Sequence, residues 1–101
     1  MSTIRPAAVA GMFYPGDPIE LRHTVTDLLA HARPAEAVRA PKALIVPHAG
    51  YLYSGPIAAS AYARLADLRG RIRRVVLLGP THRVYVRGLA LPEAERFATP
   101  L

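Results

Sequence analysis

Apolar positions in this chain fall into two kinds of pattern, one with the 3.6-residue period of a helix and one in short unbroken runs. Leu21, Val25, Leu28, Leu29 and Ala32 recur at helical spacing and define one apolar face. Asp17 just before them is a good N-cap. Pro18 suits the first helical position because its missing N–H would be unpaired there anyway, and Glu20 stands where a capping-box carboxylate reaches back. The spacing predicts a helix over 18 to about 32. A second stripe, Ile57, Ala58, Ala61, Tyr62, Leu65 and Leu68, follows Ser54, which offers a second N-cap.

The unbroken runs read differently. Residues 42–46 centre on Leu44, Ile45 and Val46, and residues 74–78 carry Val75, Val76, Leu77 and Leu78, as expected of strands covered on both faces. Pro47 stops the first run and Gly79-Pro80 the second. The helix between them spans roughly 18 Å and a five-residue strand about 17 Å, so it can return the chain along the sheet. The expectation is a βαβ unit with a right-handed crossover. Residues 88–92 offer a third, shorter strand, 93–96 a turn, and 97–101 the opening of another extended segment. Residues 33–41, with two prolines, read as a connector. The fold class is therefore α/β with a mainly parallel, incomplete sheet in a single domain over 1–101.

Two histidines stand just past the ends of the two runs, His48 and His82. In open α/β sheets ligands bind beyond the carboxyl ends of the strands. Adjacent parallel strands lie about 4.8 Å apart, so equivalent positions after each can converge on one ion. The pair is a candidate half of a metal site. Against this stands the plainer reading of a turn histidine bonded to backbone and a surface-loop histidine. His23 and His31 are about two turns apart on the first helix, too far to share a metal, and read as solvated. Tyr14, Tyr51 and Tyr53 flank the histidines, either packed with a wet phenol tip or lining a pocket, and Tyr85 has weaker support.

Composition narrows the function classes. The chain has 101 residues and a net charge of +6, almost wholly from arginine. Only Arg69, Arg71, Arg73 and Arg74 cluster, and no aromatic residue lies among them to stack on bases, so a solvated turn is expected and no nucleic-acid partner. There is no cysteine, which excludes disulfides and thiolate chemistry within these residues. No apolar run approaches the roughly 18 residues of a membrane span, so no membrane contact and a cytoplasmic location are expected. No nucleotide-binding glycine pattern and no Ser-His-Asp order is present.

Three motifs in order carry a family resemblance: Arg5-Pro6-Ala7-Ala8-Val9-Ala10-Gly11 with Phe13-Tyr14-Pro15; Ala43-Leu44-Ile45-Val46-Pro47-His48-Ala49-Gly50-Tyr51 with Tyr53-Ser54-Gly55; and Val75-Val76-Leu77-Leu78-Gly79-Pro80-Thr81-His82. They resemble the Memo-like family, the AmmeMemoRadiSam system protein B type, which is similar in fold to the class III extradiol ring-cleaving dioxygenases. Thr81 stands where serine is expected and keeps the hydroxyl. The resemblance implies an α/β protein in which His48 and His82 are metal ligands, for iron or alternatively copper, with Tyr51, Tyr53 and Thr81 shaping a substrate pocket. It implies oxygen-dependent oxidation of a small or aromatic substrate as the reaction class, if the intact protein is an enzyme. It also implies that further ligands lie beyond Leu101, so that this chain corresponds to an N-terminal piece, inactive when isolated. Uncovered apolar surface and homo-oligomeric contact are expected of such a piece. The rival reading is a binding module for a peptide or anion, using the Ser54 helix start with Arg83 and Arg87.

Overall fold

The structure, a computed structural model, describes residues 3–34 and 39–101. Part of the 33–41 connector, residues 35–38, thus lies outside the described residues. In chain order the elements are β1 (Ile4–Arg5), α1 (Pro18–His31), α2 (Tyr51–Tyr62), a 3₁₀ helix (Ala63–Leu68) and β2 (Arg96–Phe97). The protein is a small mixed α/β structure with two helices and two parallel strands among the described residues. Here β1 pairs with β2, Ile4 opposite Arg96 and Arg5 opposite Phe97. No helix among the described residues is long and apolar enough to cross a membrane.

Helix α1 forms where its signals place it. Asp17 accepts from the Glu20 N–H at 2.9 Å, satisfying one of the free donors of the first turn. Leu21 is buried, and Val25 and Leu28 are half-buried on the face turned to α2. Gly55 makes that packing close: a Cβ there would come within 3.1 Å of Leu28 Cδ1. Ser54, Gly55 and Ala59 are the buried residues of α2, so small side chains, not the large ones of the expected stripe, face its neighbour. Ile57 from that stripe is exposed.

Helix α2 begins four residues earlier than Ser54 as N-cap suggested. Gly50 is its N-cap, and the first free donor, the Tyr51 N–H, bonds the Phe13 carbonyl at 2.8 Å. A carbonyl from a distant loop thus does the work expected of the serine hydroxyl.

The strand expectations need correction. Residues 42–46, 74–78 and 88–92 form no strand, and among the described residues no ladder joins the first two. Ile45 is 99% exposed, and Val75, Val76, Leu77 and Leu78 are 74–85% exposed. The physical reason lies in the sequence itself. Strands apolar on both faces need a layer on each side, and the described residues supply two helices only. The pairing that does form draws on the opposite ends of the chain, including Arg96, which was expected in a turn.

Candidate metal centre

The two runs, though unpaired, bring their carboxyl ends together. His48 Nε2 lies 3.2 Å from His82 Nε2, with ring centroids 5.3 Å apart and planes inclined at 53°. Both rings are exposed to solvent and line one open cavity of about 750 Å³. Two imidazole nitrogens bound at roughly 2.1 Å to one ion, at roughly 90–110° to each other, lie roughly 3.0–3.4 Å apart. The observed separation falls within that range and within that of an imidazole–imidazole hydrogen bond. Without an ion the same contact requires one ring to present N–H and the other its lone pair.

His48 is held from behind. Ala49, the next residue, donates its N–H to Ser54 Oγ at 2.9 Å, and Ser54 is itself only 6% exposed. The hydroxyl therefore ties the turn that carries His48 to the first turn of α2. On the other flank, the loop around Gly11 is closed by Gly11 N–H to the Tyr14 carbonyl at 2.7 Å and Phe13 N–H to the Val9 carbonyl at 2.9 Å. That loop delivers the Phe13 carbonyl to α2 and the Tyr14 ring to the Tyr51 ring, with centroids 5.6 Å apart. Burial raises the Tyr51 phenol above its usual range, with smaller contributions from the neighbouring phenols of Tyr14 and Tyr62.

Of the three pocket residues expected from sequence, only Tyr51 lines the cavity. Tyr53 does not and is 78% exposed. Two residues along a helix turn the side chain by about 200°, so Tyr51 and Tyr53 face opposite ways. Thr81 is exposed and also stands outside the lining, whereas Pro80 and His82 on either side of it belong to it. His23 is exposed, and the exposed His31 ring bonds the Asp27 carbonyl at 2.8 Å through Nδ1. Arg83 and Arg87 do not line the cavity.

The residue missed from sequence is Arg5, the one Lys or Arg in the lining. Its guanidinium carbon lies 5.2 Å from the Phe97 ring centroid. Nothing local in the sequence links two residues so far apart in the chain. No Asp or Glu lines the cavity, and among the described residues no group of three His, Asp or Glu side chains is placed to share an ion.

A crevice built by a Gly-Tyr loop, a helix start and two facing imidazoles defines a class, a histidine-bearing α/β protein. The comparisons make it specific. The family model described as Memo-like protein matches residues 5–101, and the chain belongs to that family. It is 41% identical over 97 residues to a MEMO1 family protein of Aquifex aeolicus, covering 96% of this chain and 34% of that protein. It is 36% identical over 100 residues to the MEMO1 family protein MHO1 of Saccharomyces cerevisiae, covering 98% of this chain and 29% of that protein. With the MEMO1 family protein MTH_45 of Methanothermobacter thermautotrophicus it shares 39% identity over 104 residues, 97% of this chain and 37% of that protein. The chain thus spans about a third of the length of these relatives. No solved structure is significantly similar to it.

Proposed function

We propose that His48 and His82 are two ligands of a single redox-active metal ion, iron in the first instance and copper as the alternative, in a Memo-like protein. The observation that supports this reading is the 3.2 Å approach of the two Nε2 atoms at the mouth of a shared cavity. Two neutral imidazoles are suited to iron, copper or zinc, and the two-histidine, one-carboxylate set of non-haem iron oxygenases leaves open positions for oxygen and substrate. Bound there, such an ion would supply oxygen-dependent oxidation of a small or aromatic substrate. The described residues provide the two imidazoles and no carboxylate in the lining, so the remaining ligands of the set come from elsewhere: solvent, substrate or further polypeptide.

The chain's own contribution is binding and orientation. Ser54 fixes the turn behind His48, and Tyr51 presents an un-ionised phenol into the cavity beside the rings. The cytoplasmic location and the small-molecule or peptide ligand stay part of this proposal. The anion-binding alternative loses two of its three anchors, since Arg83 and Arg87 lie outside the cavity.

The test is metal content. The intact protein with its further ligands, equilibrated anaerobically with ferrous ion and then desalted, is expected to retain close to one ion per chain, and its His48→Ala variant to retain none. Equal retention by wild type and His48→Ala contradicts the reading.

A further inference from the structure

The cavity that holds the two imidazoles carries a single permanent charge. Arg5 is the one Lys or Arg in its lining, and no Asp or Glu lies there to neutralise it. Most of the remaining wall is apolar or aromatic, Phe13, Tyr14, Leu28, Leu29 and Tyr51 among it, around a volume of about 750 Å³. That is the character of a small-molecule site, in which a few polar groups fix the orientation of a largely apolar ligand. A guanidinium keeps its charge at any physiological pH, so when a ligand displaces the water around it, only an anionic group on that ligand restores what is lost.

Arg5 is also held in place. Its backbone pairs with Phe97 across the two strands, and its carbonyl accepts the Ala98 N–H at 2.8 Å. Its guanidinium carbon sits over the Phe97 ring, 5.2 Å from the centroid. A guanidinium held over an aromatic face keeps its N–H edges, the groups that make two parallel bonds to a carboxylate. A side chain already held in this way loses less freedom when an anion binds.

Charge selects among anions. The one guanidinium of the lining balances one negative charge, as on a carboxylate, whereas a phosphate monoester brings about −1.5 to −2 at pH 7. Charge left unbalanced and out of water is costly. We propose that Arg5 anchors the carboxylate of a small aromatic monocarboxylic acid, whose ring lies on the apolar wall, and that such acids are the substrate class of this cavity. This rests on the cavity being the metal-bearing site proposed above, and Arg5 serves it as an anchor for substrate and not as a ligand of the ion.

Matched probes test the proposal without any ion. The intact protein, stripped of metal with a chelator, is titrated at neutral pH with phenylacetate, phenylacetamide and phenyl phosphate by calorimetry. Phenylacetate is expected to bind at least about tenfold more tightly than the amide, the difference between a charge-assisted pair and a neutral one, and more tightly than phenyl phosphate. Arg5→Gln is expected to erase the preference for the acid, and Arg5→Lys to keep part of it, because a point charge remains without the fork. Both variants are expected to keep the wild-type circular dichroism and the wild-type retention of ferrous ion. Equal affinity for acid and amide, including no detectable binding of either, overturns the proposal. So does a preference that survives in Arg5→Gln, or tighter binding of phenyl phosphate. A wild type that prefers the acid through Arg5 yet retains no ferrous ion overturns the metal reading and sustains the carboxylate anchor.

Discussion

Replacing Ser54 by alanine removes one atom that holds the candidate metal centre together. The Oγ accepts the Ala49 N–H at 2.9 Å from a nearly inaccessible position in α2. A hydrogen bond of this kind contributes about 1 kcal/mol net, and Ala49 is exposed enough for water to take over its N–H, so the lower part of the 1–3 kcal/mol penalty for an orphaned donor applies. Alanine recovers roughly 0.5 kcal/mol of helix propensity at the same position. The global loss is therefore small, about 0.5–1 kcal/mol, while the local one is not: opening of the turn becomes about fivefold easier for each 1 kcal/mol removed. Amide exchange read by NMR should show Ala49 exchanging about fivefold faster in Ser54→Ala with α1 unchanged. Metal affinity should fall about tenfold, the low end for residues that orient a ligand indirectly. An Ala49 amide exchanging at the wild-type rate, with unaltered metal affinity, would refute the claim that Ser54 positions His48.

Other perturbations test the surrounding framework. Asp17→Ala deletes the α1 cap and should cost about 1 kcal/mol, seen as a lower denaturant midpoint by circular dichroism with unchanged slope. Gly11 has φ +81° with open space around its Cβ position, so Gly11→Ala should cost about 1 kcal/mol through backbone strain alone, measured the same way. Tyr51 keeps its proton to higher pH in the folded chain than when unfolded. Its contribution is complete below the ordinary phenol value of 10.0 and is lost as pH rises through the higher folded value. Stability curves of wild type and Tyr51→Phe between pH 9 and 11 should accordingly diverge, the wild type falling more steeply.

How much was legible in the sequence follows from how local each signal is. Asp17, Pro18 and the Leu21 to Leu28 spacing act within a single turn or two, and α1 forms where they indicate. The convergence of His48 and His82 was legible because both follow a proline-stopped apolar run and such ends tend to meet. The ladder was not, because pairing depends on what covers the faces, and no property of residues 75–78 reveals whether a cover is present. Ser54 was read as an acceptor of backbone N–H, which it is, but for a donor preceding the helix and not one within it. The register of Ile4 opposite Arg96 has no local signature, and with it went the placement of Arg5 and Phe97.

The central claim, that two imidazoles act on one ion, is tested most directly by a double-mutant cycle on metal affinity. Ferrous ion binding is measured by anaerobic titration calorimetry for wild type, His48→Ala, His82→Ala and the double variant. Ligands of one ion act as a unit, so each single substitution should lose nearly as much affinity as the pair, giving strong coupling. Losses that simply add, or an affinity that neither substitution changes, would contradict it.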